Sequence, residues 1–171
     1  LKSVFSDPHT NQIAVIEDSE FKIEGGKANL VRFKQTQKQI GTEGSCEIKD
    51  GKVHFKYTKD GKTKEATEDL ESNFVISASI LGYLQDHWSE IRDRKTVKIR
   101  MGVLDRQETI GFEFSKVKEA TVDGEKAIIV KMKPSSFIIS AMVNPLMWTL
   151  TEDGSHLLSI EVRTSARLKT T

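Results

Sequence analysis

The chain has 171 residues, of which 26 are Lys or Arg and 25 are Asp or Glu, giving a formal net charge of +1. This length predicts a single domain over residues 1–171, with an irregular N-terminal segment at 1–11 and a polar tail at 164–171. The small net charge argues against broad capture of nucleic acid, which needs an excess of Lys and Arg on one face. The single cysteine, Cys46, excludes an internal disulfide and is typical of a small buried hydrophobe.

The first third of the chain is typical of short strands joined by tight turns. Two strand-like segments lie on either side of Gly25-Gly26, and alternating polar and apolar residues then predict three more. These five predicted strands are 12–22, 28–37, 44–49, 52–59 and 62–67. Asp-Gly pairs begin at Asp50, Asp60, Asp123 and Asp153, and this dipeptide favours tight hairpin turns because it tolerates positive φ.

One segment, residues 73–94, has a long helical period. Ile80, Leu84, Trp88 and Ile91 recur at steps of four, four and three, so they share one face of a helix predicted over about 76–93. A lone amphipathic helix among strands buries its apolar face against a sheet.

The second half returns to alternating strands, with a turn predicted at 104–107. The predicted strands are 95–103, 108–118, 146–151 and 156–166, and the range 119–133 is predicted to hold a turn at Asp123-Gly124 followed by a strand through Ile128, Val130 and Met132. The segment 134–145 begins with Pro and ends with Asn-Pro, which suits a short helix. It is equally compatible with a buried strand, because periodicity does not decide short apolar runs.

The predicted fold is mainly antiparallel β, with nine or ten strands and one long helix. Short connections favour up-and-down order, and accumulated twist makes so many strands curl or close. We therefore expect a strongly curved sheet or an incomplete barrel, with the helix in or across its concave face.

No motif for catalysis, metal binding or cofactor binding is present in the sequence. HExxH, CxxC, GxSxG and a glycine-rich phosphate loop are all missing, so no enzyme, metal or cofactor is predicted. The Lys-rich hairpin at 49–64 is compatible with peripheral contact to anionic lipid headgroups, but Asp50, Asp60 and Glu65 favour an ordinary solvated face. No run approaches the roughly 18 apolar residues of a membrane-spanning helix.

Large apolar residues provide the remaining candidate site. They are typical either of an ordinary core or of the lining of a hydrophobic cavity between helix and curved sheet. The candidate ligand-lining residues are Ile80, Leu84, Trp88, Phe112, Phe114, Phe137, Met142 and Trp148. A candidate polar cluster at the rim of the sheet comprises Arg100, Asp105, Arg106 and Glu108, for which turn formation with a surface salt bridge is the plainer interpretation.

Two stretches, DHWSEIRDRKTVKIRMGVLDRQETIGFEF (86–114) and VKMKPSSFIISAMVNPLMWTL (130–150), resemble a family of uncharacterised bacterial envelope proteins. The resemblance extends over about 62–163, with His87-Trp88, Leu104-Asp105-Arg106, Ile110-Gly111-Phe112 and Pro134-Ser135-Ser136 as its motifs. It implies a curved sheet similar to those of lipocalins or lipoprotein-localisation carriers, and a periplasmic or outer-membrane-associated location. It implies no activity, and the export signal that such proteins carry is expected to lie outside a chain that starts at Leu1 without Met.

Three functions remain open at this point. The first is a non-catalytic envelope protein that binds a lipid, an acyl chain or another hydrophobic small molecule between helix and sheet. The second is a module that docks an envelope protein partner through a sheet edge or an apolar patch. The third is an enzyme, which requires His54, Asp86, His87 and Glu90 to converge.

Overall fold

A computed structural model describes residues 1–7, 10–136 and 144–161 of the protein. Strands account for 64% of it, so the prediction of a mainly β fold is confirmed. The strands are β1 (Lys2–Ser6), β2 (Ile13–Glu24), β3 (Lys27–Gln37), β4 (Thr42–Lys49), β5 (Lys52–Lys59), β6 (Lys62–Asp69), β7 (Phe74–Val75), β8 (Val97–Val103), β9 (Glu108–Val122), β10 (Glu125–Pro134), β11 (Leu146–Thr151) and β12 (Leu157–Glu161). The helices are α1 (Ser79–Asp86) and α2 (Trp88–Arg92), with a short 3-10 turn at Lys38–Ile40.

The strands form two six-stranded sheets, with the orders β1-β2-β3-β4-β5-β6 and β12-β11-β10-β9-β8-β7. The sheets are antiparallel and one of them curls strongly into a half-barrel, as the predicted curved sheet requires. The short strand β7 departs from this pattern, because it pairs with β8 in parallel.

The prediction of nine or ten strands is wrong, because the described residues contain twelve. Part of the difference is β1, which lies inside the segment predicted to be irregular and pairs with β2. Another part is β7, which was included in the helical segment but hydrogen-bonds to β8 instead.

The prediction of one long helix is also wrong. Ser77 has a positive φ of 47°, so regular helical structure begins only at Ser79. His87, with φ −107° and ψ 16°, then separates α1 from α2. Backbone hydrogen bonds still run from His87 to Tyr83 and from Ile91 to His87, so the helical period continues across this break.

Three Asp-Gly pairs form the tight turns that the sequence predicts. Asp50-Gly51, Asp60-Gly61 and Asp123-Gly124 all have positive φ at both residues, the type I′ combination that joins twisted strands. Asp153-Gly154 instead lies in a five-residue loop between β11 and β12, in which only the glycine has positive φ.

By backbone contacts the described chain divides into two compact units, one of residues 1–72 with 102–109 and the other of 73–101 with the described part of 110–163. The prediction of a single domain stays a prediction.

The first unit presents an apolar and a charged face of its sheet. Ser19, Phe33, Cys46, Phe55 and Ala66 lie directly opposite one another on successive strands, and the first four are buried. The other face carries cross-strand ion pairs, among them Arg32–Glu20, Lys34–Glu43, Lys52–Asp69 and Lys56–Glu65. The acidic partners of Lys52 and Lys56 agree with the interpretation of the Lys-rich hairpin as a solvated face.

The turn between β8 and β9 is fixed within the first unit by two contacts. Leu104 lies over Gly44, where a Cβ atom would approach the Leu104 Cδ1 atom to 2.8 Å. Thr109 donates from its backbone N–H (3.0 Å) and its hydroxyl (2.7 Å) to the Glu68 carboxylate. Residues 104–107 form the turn that the sequence predicts.

Candidate functional site

Five of the eight predicted ligand-lining residues meet in the core of the second unit. Ile80, Leu84 and Trp88 from the helices are 0–7% exposed. They belong to one apolar cluster with Phe114 and Trp148 from the sheet. Other members of this cluster are Val75, Ile91, Val97, Ile99, Ile128, Val130, Met132 and Leu150. The face predicted from the helical period is therefore the face that is buried.

Three of the predicted lining residues are not among the buried members of this cluster in the described part of the chain. Phe112 is partly buried and packs against the edge of the cluster. Phe137 and Met142 lie outside the described residues, as does most of the ambiguous segment 134–145. Of that segment, Pro134 ends β10 as a strand residue.

Trp148 has an unusual environment in this cluster. Its ring packs edge-on against Phe114, with centroids 5.8 Å apart and an interplanar angle of 81°. Its indole N–H is buried and has no acceptor among the residues that the structure describes. A buried donor without an acceptor costs free energy, so this N–H marks a position where an oxygen of a bound molecule would be stabilised.

Trp88 differs from Trp148 because its polar atom is satisfied. Its indole N–H donates to the Glu152 carbonyl at 3.0 Å. Gly154 lies on the indole ring so closely that a Cβ atom there would be 2.4 Å from Trp88 Cδ2. Gln85 donates to the carbonyls of Gly154 (3.3 Å) and Ser155 (3.0 Å), so the helices hold the β11–β12 loop in place.

Within that loop, a hydrogen-bond network centres on Asp153. Its carboxylate accepts from the hydroxyls of Thr151 (2.6 Å) and Ser155 (2.7 Å) and from the Ser155 backbone N–H (3.0 Å). These bonds favour the ionised form and hold the pKa of the Asp153 carboxyl well below its usual range. Ser155 also contacts His156 Nδ1 at 2.7 Å. The recorded bonds of Asp153 go to the hydroxyls rather than to the imidazole, so the network closes a loop and does not have the arrangement of a catalytic triad.

Two other histidines in the described part of the chain are paired, on separate elements. His87 contacts Glu90 Oε1 at 2.6 Å and stacks on Tyr83, with ring centroids 4.4 Å apart. His54 contacts Thr67 on the sheet of the first unit. The described residues contain no group of three or more His, Cys, Asp or Glu able to hold a metal ion. None of the described helices is long and apolar enough to cross a membrane.

The predicted rim cluster is divided between the two units. Arg106 and Glu108 form an ion pair beside the β8–β9 turn, and Asp105 accepts a hydrogen bond at its carbonyl from Gln107 (2.6 Å). Arg100 belongs to the second unit, on β8 opposite Phe74. Its role as part of a rim cluster stays a prediction.

A polar concavity of about 370 Å³ lies at the edge of the apolar cluster in the second unit. It is lined by Ser89, Arg92 and Asp93 of α2 and the residue after it, by Lys116 and Glu119 of β9, and by Ile128 and Glu152. An adjoining concavity of about 300 Å³ shares Glu119 and Glu152. Neither is lined by any of the six predicted ligand-lining residues that the structure describes.

Lys116 is the buried charge of this concavity. Its side chain is only 8% exposed, and its ammonium forms an ion pair with Glu119 at 2.8 Å. The hydrogen bond from Lys116 lowers the pKa of the Glu119 carboxyl. An ammonium carries three N–H donors, and Glu119 is its one recorded partner among the described residues.

A β-bulge places these two side chains on the same face of the sheet. Val130 lies opposite Lys116, whereas the residue before it, Ile129, lies opposite Lys118. Val117 is therefore an extra residue on β9. Without this bulge, side chains three residues apart would point to opposite faces. The sequence carried half of this signal, since Lys116 continues the inward positions of Ile110, Phe112 and Phe114, but alternation alone could not reveal the bulge.

Comparison with known proteins identifies no relative of this chain. No family model, no curated protein and no solved structure matches the chain.

Proposed function

We propose that the protein is a non-catalytic component of the bacterial envelope that binds a lipid or an acyl chain between its helices and the curved sheet. The observation that carries this proposal is the unpaired indole N–H of Trp148, buried among the predicted lining residues. A carboxyl or ester oxygen of an acyl ligand would accept from this N–H, while its chain would replace contacts within the apolar cluster.

The cluster is closed in the structure, because its members are 0–7% exposed. Uptake of a ligand therefore requires α1 and α2 to separate from the sheet. Such movement fits two short helices, whose stability comes from packing rather than from their own length.

The first test is native mass spectrometry of the protein purified from its own host, followed by lipid extraction. A co-purifying lipid is the expected result. In a second step, delipidated protein is titrated with palmitic acid. Trp148→Phe, which keeps an aromatic side chain but removes the pyrrole part of the indole with its N–H, should weaken binding by about tenfold.

The control is Phe33→Leu, in the core of the first unit and outside the apolar cluster of the second. This variant should lose stability but retain affinity for palmitic acid. Absence of both a co-purifying lipid and saturable uptake would contradict the proposal, and recovery of the native protein in the cytosolic fraction would contradict the envelope location.

A second candidate function is docking of a partner protein along β1, the edge of the first sheet. Val4 and Phe5 of β1 are each 50% exposed, and Ile13 at the start of β2 is 46% exposed. Leu1 and Ser19 exchange both backbone hydrogen bonds, so by antiparallel alternation the N–H of Val4 points away from β2. The opposite edge, β6, is instead covered by charged residues that discourage pairing.

An extended segment of an envelope protein would add a strand to this edge. Val4→Pro removes the outward N–H while leaving the β1–β2 bonds intact, which edge positions tolerate. A photo-crosslinking residue at position 4 should capture the partner, and the same residue at position 63 of β6 should not. Equal capture from both positions would argue against this function.

A further inference from the structure

We propose that the concavity beside Lys116 binds a small zwitterionic group, with an oxyanion at Lys116 and Arg92 and an ammonium group at Asp93 and Glu152. This site adjoins the apolar cluster and shares only Ile128 with it among the described residues, so it does not depend on the proposed lipid binding.

Lys116 carries a buried charge whose hydrogen bonding is incomplete among the described residues. Burying an ammonium is costly unless its charge and its donors are matched. Lys116 has a carboxylate partner in Glu119, but that residue is 74% exposed and occupies one of the three donors. Lys116 lines a concavity of a size that holds a small molecule, so an oxyanion bound there would complete the hydrogen bonding of the ammonium.

The concavity is lined by side chains of both charges. Its lining contains two cations, Lys116 and Arg92, and three carboxylates, Asp93, Glu119 and Glu152. Glu119 already pairs with Lys116, and Glu152 forms a looser, exposed ion pair with Lys126 at 3.9 Å. A simple anion would therefore meet Asp93 and the partly compensated Glu152, and a simple cation would meet Arg92. A molecule that carries both charges complements both halves of the lining.

The β-bulge at Val117 also supports a binding site in this concavity. It costs a ladder position in an otherwise regular strand pair, and its effect is to bring Lys116 and Glu119 to the same face. Bulges frequently re-aim side chains beside functional sites. Here the re-aimed side chains line the concavity, over a floor formed by the buried Ile128.

An oxyanion and an ammonium group a few bonds apart occur both in free metabolites and in phospholipid headgroups. The experiment therefore has two arms, calorimetric titration with free O-phosphoethanolamine and β-alanine, and flotation with vesicles containing phosphatidylethanolamine. Inorganic phosphate and ethanolamine serve as probes that carry only one of the two charges, and phosphatidylglycerol vesicles serve the same purpose in the second arm.

We expect saturable binding of at least one zwitterion, and much weaker binding of phosphate, ethanolamine and phosphatidylglycerol. Lys116→Met retains the buried stem of the side chain and should weaken binding by at least about tenfold. The matched control, Lys118→Met, changes an exposed lysine on the same strand and should have no effect. Binding only in the vesicle arm identifies a lipid headgroup as the ligand, and binding in the free arm identifies a metabolite.

If Lys116→Met does not fold, as judged by circular dichroism, Arg92→Gln and Glu152→Gln report on the same site from its two other walls. The proposal is overturned if no zwitterion binds at concentrations up to about 10 mM in either arm, because a dissociation constant above this concentration is weaker than a specific site requires. It is also overturned if phosphate alone binds as tightly, or if Lys118→Met weakens binding as much as Lys116→Met. Failure of palmitic acid binding would leave the result of the free arm unchanged.

Discussion

Cys46 shows how burial alone changes the chemistry of a side chain. It is 1% exposed, between Phe33 and Phe55 on neighbouring strands. Burial raises the pKa of its thiol from 9.0 to about 12, since the thiolate would lose its hydration. Its position therefore makes it an inert core residue, in agreement with the pattern of the sequence.

This raised pKa predicts a loss of stability at alkaline pH. In the unfolded chain the thiol ionises near 9.0, whereas in the folded protein it stays protonated until about 12. The stabilisation is therefore complete below pH 9.0 and is lost as pH rises from there towards 12, by at most about 1.4 kcal/mol per pH unit. Urea unfolding of the wild type and Cys46→Ala across this range should give diverging curves, and parallel curves would contradict the assignment.

The glycines provide a second test at the same scale. Gly154 has φ 76°, and a Cβ atom there would meet the Trp88 ring at 2.4 Å, so Gly154→Ala should destabilise the protein by about 2 kcal/mol or more. Gly82 lies on the exposed side of α1 with nothing within 4 Å, so Gly82→Ala should stabilise by about 0.5–1 kcal/mol. Chemical denaturation measures both, and two changes of the same sign would contradict this account.

At the scale of elements, the helical face matters more than the helical length. Ile80, Leu84, Trp88 and Ile91 are all buried although α1 and α2 are separated at His87. The reason is that burial depends on the period of the side chains, and the period continues across the break.

Truncation of this face should therefore be costly. Leu84 is 0% exposed, so Leu84→Ala should lower the free energy of unfolding by about 2–5 kcal/mol, and Trp88→Ala by about 3–5 kcal/mol. Val117→Ala, at a position that is 40% exposed, is the control and should change it by less than about 0.5 kcal/mol. A loss near ~1 kcal/mol for Trp88→Ala, together with altered lipid uptake, would instead mean that Trp88 faces a cavity.

At the scale of the whole molecule, the recorded antiparallel pairings all join strands adjacent in sequence. Such meanders pay little loop-closure entropy, because their turns are short. The parallel β7–β8 pair is the exception and needs the connection through α1 and α2.

The charge distribution predicts a weak dependence of stability on salt. Net charge is +1, and most recorded ion pairs join exposed side chains, such as Arg32–Glu20 with 62% and 58% exposure. Pairs of this kind are each worth about 0–1 kcal/mol. Raising NaCl from about 0.05 to 0.5 M should change the free energy of unfolding by no more than about 1 kcal/mol, whereas a larger change would indicate strong long-range electrostatics.

The sequence by itself determined those features that depend on local chemistry and periodicity. Three of the four Asp-Gly pairs form type I′ turns because of their φ preference, and alternation specifies which strand face is apolar. For the same reason the buried face of the helices and the burial of five predicted lining residues could be predicted before the structure was known.

Only the tertiary structure decided the features that depend on distant pairing. Phe74 and Val75 become a strand because β8 offers them backbone partners, and Val117 becomes a bulge because β10 sets the register. The unpaired N–H of Trp148 is also a product of packing, and so is the ammonium of Lys116, which has one recorded partner for its three N–H donors. No local pattern encodes them, because whether a polar group is satisfied depends on neighbours that only the folded chain brings together.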